Sequence, residues 1–187
     1  MIKFKRNVGV LLLSVSALGC STDIGDYESV QQPFDIKTYF NQSVTGWGMV
    51  QDYTNKVNRR FCVEIVGTWQ ENQGTLAEVF YFNDGEVSYR NWQLTKLEDG
   101  SYSGTAGDVD GVAKGVHQGF AFQFNYDLLL TLDETTYKVA MDDWMYQLDE
   151  YRVMNKTSMH KFGVKVADVT LFFDKEQQNK RCKRSVI

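Results

Sequence analysis

The most specific chemistry in this sequence belongs to one thiol. Cys20 closes the stretch Ala17-Leu18-Gly19-Cys20, in which small residues lead up to a cysteine. Ahead of it, Lys3, Lys5 and Arg6 flank an apolar run from Val8 to Leu18. That run is too short for a stable spanning helix, which takes about 20 apolar residues. A basic flank, a short apolar stretch and small residues at the cut are the layout of an export signal. With cysteine first after the cut, the layout is a lipobox: the thiol is diacylated and residues 1–19 are removed. Ala17 stands where leucine is usual. The expectation is a lipoprotein held to a membrane by acyl chains on Cys20. Ser21, not aspartate, follows the cysteine. In a Gram-negative host this points to an outer-membrane lipoprotein facing the periplasm.

The other reactive groups form no recognisable catalytic set. There is no Gly-x-Ser-x-Gly and no CxxC, and His117 and His160 lack the order of a triad or the spacing of a metal site. No cofactor is expected. Asp142-Asp143-Trp144-Met145 is the cluster of interest. Adjacent strand residues project to opposite faces, so one of the two carboxylates points inward or to a rim. Buried, it needs a partner, and Arg60, Arg90 and Lys161 are available. Two readings stay open: an anchor for a ligand's polar end, or an internal salt bridge. Acid–base chemistry by Asp142, Asp143 or Glu64 is a third. Glu64 and Arg60 share a strand face and are expected to meet solvent. An exported chain permits a disulfide, but Cys182 lies in a polar tail, so Cys62 is expected to be free.

The elements that must position these residues are strands. Without residues 1–19 the chain has 168 residues, enough for one domain with a core. Its balance is 17 basic against 24 acidic residues, −7, which disfavours a nucleic-acid partner. Residues 20–33 read as a lipidated tether. Pro33 opens a short helix, Phe34 to Phe40. The barrel domain is expected over 34–174, and a basic tail over 175–187. Strand-like runs recur at about 44–53, 57–69, 75–83, 86–97, 100–107, 109–117, 119–132, 135–147, 150–157 and 160–173. Asn83-Asp84-Gly85, Glu98-Asp99-Gly100, Asp108-Val109-Asp110-Gly111 and Asp133-Glu134 read as turns between them. Phe120, Phe122, Phe124, Tyr126, Leu128, Leu130 and Leu132 alternate with a period of two, placing them on one strand face. Phe61, Val63, Ile65, Gly67 and Trp69 repeat the pattern. Phe162, Val164 and Val166 then change phase to Val169, Leu171 and Phe173, which predicts a bulge near Ala167-Asp168. About ten meandering strands favour a closed antiparallel barrel over a sandwich. Charges within the strands argue against a barrel that faces lipid.

The chain also resembles a family of uncharacterised Gram-negative lipoproteins of unknown function. The resemblance rests on Phe34-Asp35, Tyr39-Phe40, Val44-Thr45-Gly46-Trp47-Gly48, Gln51-Asp52, Arg59-Arg60-Phe61 and Gly67-Thr68-Trp69. It continues through Asp84-Gly85-Glu86, Tyr102-Ser103-Gly104-Thr105-Ala106, Asp142-Asp143-Trp144-Met145, Lys161-Phe162-Gly163 and Val169-Thr170-Leu171-Phe172-Phe173. It implies an all-β, single antiparallel lipocalin-like barrel of about 8–10 strands with a short N-terminal helix. It also implies a lipid-related role. The expected activity is binding of a hydrophobic or amphipathic small molecule, a lipid or fatty acid, in the barrel. Its chain would lie along Phe122, Phe124 and Val139. Its polar end would meet Arg60, Asp142 or Trp144, with Trp47 similar to the tryptophan that opens lipocalin barrels. The alternatives are a scaffold for a lipid-modifying or envelope-stress system, with a protein partner unknown, and a periplasmic enzyme.

Overall fold

The computed structural model describes residues 22–28, 33–132, 134–176 and 182. The expected export signal, residues 1–19, and Cys20 lie outside them. Ten strands follow one another: β1 Ser43–Asp52, β2 Val57–Gln70, β3 Gln73–Phe82, β4 Val87–Lys96, β5 Tyr102–Thr105, β6 Val109–Gln118, β7 Ala121–Leu132, β8 Thr135–Gln147, β9 Arg152–Lys161 and β10 Val164–Asp174. Each pairs antiparallel with its sequence neighbours, and β1 pairs with β10 as well as β2, so the sheet closes into a barrel. Closure leaves no unpaired edge. No helix among the described residues is long and apolar enough to cross a membrane.

The turn chemistry drives the meander. Gly85 takes a φ of 90° in the β3–β4 hairpin, a conformation glycine adopts without steric cost. Two turns fall elsewhere than expected. Gly111 sits inside β6, at a register shift between Asp110 and Lys114, and the chain reverses three residues earlier. Residues 162 and 163 are a hairpin tip rather than strand, with φ values of 52° and 78°. The phase change in β10 is a bulge between Lys165 and Ala167, close to its expected place.

Successive hairpins alternate between the two ends of the barrel, and one end is plugged. The plug is the chain before β1, which carries α1, Ile36–Tyr39. The helix is shorter than the expected 34–40 because Asp35 caps it, accepting from the Thr38 amide at 2.9 Å. Asp35 also pairs with Lys96 of β4. Phe34, Ile36, Tyr39 and Phe40 are all buried, each burial contributing about 1.5–3 kcal/mol. The Phe34 amide donates to the Gly119 carbonyl at 2.7 Å, and the Tyr39 hydroxyl to the Tyr151 carbonyl at 2.8 Å. The plug is thus tied to two separate hairpins.

Two further findings depart from the sequence expectations. Cys62 and Cys182 form a disulfide, Cα to Cα 5.7 Å, so Cys62 is not a free thiol. The Cys182 amide also donates to Glu64 at 2.8 Å, returning the tail to the outside of β2. Within the expected tether, Ile24–Tyr27 form a 3₁₀ turn with an Asp23–Asp26 capping box. Tyr27 packs edge-on against Phe120 and beside Trp144 and Tyr146.

Candidate functional site

Inside the barrel, above the plug, is a cavity of about 410 Å³. Its floor is Ile36 and Phe40 of the plug, and its wall is the inward row of nearly every long strand. Phe122, Phe124, Tyr126, Leu128, Leu130 and Leu132 form one side, as the period of two in β7 requires. Phe61, Ile65, Phe80, Phe82 and Trp92 form the other. Tyr89 is 72% exposed and yet lines the cavity, and Leu132 does the same. The mouth is therefore at the end opposite the plug. A mostly apolar pocket of roughly 300–1,000 Å³ with a few convergent polar groups has the form of a small-molecule site.

The polar groups gather on one band of the wall. β3 carries Glu78 and β4 carries Arg90, its direct cross-strand neighbour. Arg90 donates Nε and Nη2 to Asp108 at 2.7–3.1 Å. Across the cavity stands Asp143 of β8, 8% exposed. It accepts from Asn155 and, at 3.1 Å, from the Thr157 hydroxyl on β9, with Tyr126 of β7 at 3.5 Å. Burial pushes the Asp143 carboxyl up to about 6, against the opposing hydrogen bonds of Asn155 and Thr157. Burial likewise pushes Glu78 up to about 7; Arg90 offsets part of this, and Asp143 and Asp108 add to it. Nearer the mouth, Arg59 forks onto Asp84 at 2.6 and 2.9 Å, reaches Glu86 at 2.7 Å and covers the Phe82 ring at 3.7 Å.

Of the residues expected at the site, Phe122 and Phe124 line the cavity. Val139 is buried beside it, in a smaller cluster with Leu128, Met141 and Met159. Trp47, Arg60, Asp142 and Trp144 lie on the outer face instead. Strand parity is the reason. Gly46 and Gly48 pack against inner-face Val63 and Phe61, which turns Trp47 outward. Arg59, not Arg60, is in phase with Phe61, and Asp143, not Asp142, is in phase with Met141 and Met145. Asp142 accepts instead from Gln123 on the outside at 2.7 Å. Trp144 stacks on Tyr146 beneath Tyr27. Lys161 covers the Tyr137 ring at 3.8 Å and is not paired with Asp143. Glu78, Asp108 and Tyr126 were not anticipated as polar site residues; the in-phase pattern Leu76, Glu78, Phe80 was the signal for the first.

An up-and-down ten-stranded barrel with a plugged end and an enclosed apolar cavity belongs to the lipocalin-like class of small β-barrels. The chain belongs to the DUF3833 family of proteins of unknown function, whose profile matches residues 14–175. Comparison with curated protein sequences gives no match. Among solved structures, the S-type phycobiliprotein lyase CPES from Guillardia theta is similar in fold, with a TM-score of 0.56 over 77% of this chain and 94% of that one. The two share 9% identity, so the likeness is one of architecture.

Proposed function

We propose that this protein is a membrane-anchored lipoprotein whose barrel holds a hydrophobic or amphipathic small molecule. The observation that carries the reading is the 410 Å³ cavity, apolar along most of its wall, plugged at one end and open at the other. The fold of the phycobiliprotein lyase is compatible with small-molecule binding. The anchor rests on the sequence, through Cys20 and the export layout before it. If the host is Gram-negative, Ser21 favours the periplasmic face of the outer membrane.

The cavity is tested with the neutral dye N-phenyl-1-naphthylamine. Saturable uptake with a blue-shifted emission is expected, and Leu130→Trp, which places an indole near the mouth, should abolish it. A cooperatively folded protein that takes up no dye would refute the reading. The anchor is tested separately: Cys20→Ala should leave the precursor unprocessed, and normal maturation would remove the lipoprotein assignment.

A second reading, an envelope protein that docks a partner, is favoured by the mouth itself. Tyr53, Tyr89, Leu132 and Phe162 stand exposed on four hairpins around it, Phe162 at 95%. A photo-crosslinking residue at position 162 should then give a discrete protein adduct in the envelope, and only background labelling would count against it.

A further inference from the structure

Both cations that line the cavity are already engaged. Arg90 spends Nε and Nη2 on Asp108, and Arg59 spends its fork on Asp84 and Glu86. The carboxyls are not matched in the same way. Among the described residues no hydrogen bond or salt bridge reaches Glu78, which faces the cavity and feels its cross-strand neighbour Arg90 through charge alone. Asp143 is held by neutral donors only, those of Asn155, Thr157 and Tyr126. In this band the donors of Asn155 and Thr157 are committed to Asp143, and Nε and Nη2 of Arg90 to Asp108, while Glu78 is left as an acceptor without a donor.

A carboxylate entering this cavity would meet guanidinium groups whose charges already face Asp108, Asp84 and Glu86, and would lie near two further carboxyls. In an apolar enclosure that arrangement is strongly unfavourable, because a desolvated charge needs an opposite charge or a donor. A head group that donates hydrogen bonds finds the reverse: an open acceptor at Glu78, with Asp143 opposite. Charge-assisted hydrogen bonds to such an acceptor are the stronger kind.

Resting on the cavity-binding reading above, we propose that the ligand is an amphiphile whose polar end donates hydrogen bonds, an amine above all, received by Glu78 opposite Asp143. Fatty-acid anions are the class it rejects. The sequence expectation placed the polar end of a lipid or fatty acid at Arg60, Asp142 or Trp144, none of which lines the cavity.

The test compares dodecylamine, dodecanol and dodecanoate as competitors of N-phenyl-1-naphthylamine at pH 8.5. The protein used is residues 20–187 carrying Cys20→Ser, which contains every described element. At this pH Glu78 is ionised, with Arg90, Asp108, Tyr126 and Asp143 as the titratable groups around it. The amine should compete best, and dodecanoate about ten-fold or more weaker than dodecanol. Glu78→Gln should erase the advantage of the amine over dodecanol. Equal competition by all three, or preference for dodecanoate, overturns the head-group assignment and leaves the cavity reading standing. If neither the dye nor any of the three binds, the cavity reading fails and this one with it.

Discussion

Gly67 of β2 lies directly against the carbonyl group of Phe40, so close that a Cβ there would overlap the oxygen. The contact is where the plug seats on the wall, and the Gly67 amide beside it donates to Gln42 at 3.0 Å. Only a residue without a side chain permits that approach. Gly67→Ala should lower stability by about 2–3 kcal/mol, in the upper range for overpacking, since backbone rather than a flexible side chain must move. Urea denaturation measures this; an unchanged midpoint would mean the plug is not held there.

The Cys62–Cys182 bond spans 120 residues and ties the C-terminal tail to the wall. Its loss should cost about 2–5 kcal/mol. Dithiothreitol should lower the melting temperature of the wild type and leave that of Cys182→Ser unmoved. Equal responses of the two proteins would indicate that the bond is not formed.

Glu78 and Asp143 predict an inverted pH dependence. Both have carboxyl pKa values raised in the folded state, from 4.5 to about 7 and from 3.8 to about 6. Their protonated forms favour folding, so the stabilisation is full below about pH 4 and is lost as pH rises through about 6 and 7. The exposed carboxyls Asp52 and Asp84 act the other way. A side-chain bond from Thr54 and one from Arg59 hold them at about 2, so their contribution fades only in stronger acid. The melting temperature should therefore rise from pH 8 to pH 5, on the order of 5 °C. Glu78→Gln should flatten the profile and melt higher than wild type at pH 8. A profile that falls between pH 8 and pH 5 would contradict the burial of these two groups.

Tyr27 closes an aromatic patch on the outer wall, with Trp144 and Tyr146 stacked at 5.9 Å and 9°. Tyr27→Ala should release the 3₁₀ turn without opening the barrel. Limited proteolysis between residues 22 and 33 should become faster while the barrel stays resistant. The loss in melting temperature should be no more than a few degrees, as the removal of one partly exposed aromatic side chain from the outer wall allows. Unchanged cleavage would show that the turn is not docked by this residue.

Much of the architecture was written in the alternation of side chains. The inward row of β7 from Phe122 to Leu132 needed only a period of two, because a half-buried strand must sort its faces. Glycine-bearing turns such as 83–85 marked the ends of strands because few other residues take positive φ. The β9–β10 reversal was missed because Phe162 reads as strand; a bulky residue at positive φ is uncommon, and composition gives no warning of it.

The apolar lining of the cavity was legible in the sequence, whereas the polar residues that line it are not the ones the sequence singled out for a ligand's polar end. Val139 and Asp142 were both expected inside, yet they differ by an odd number of positions and cannot share a face of a regular strand. Keeping to one phase selects Asp143 and, beside Phe61, Arg59. What sequence by itself determined is therefore local and periodic: the strands, most turns and the apolar rows. Which distant groups meet was decided only by closure of the barrel. Closure sets Asp143 across from Glu78 and Arg90, returns Cys182 to Cys62 and seats Phe40 on Gly67, since contacts between far-separated positions depend on register around the whole sheet.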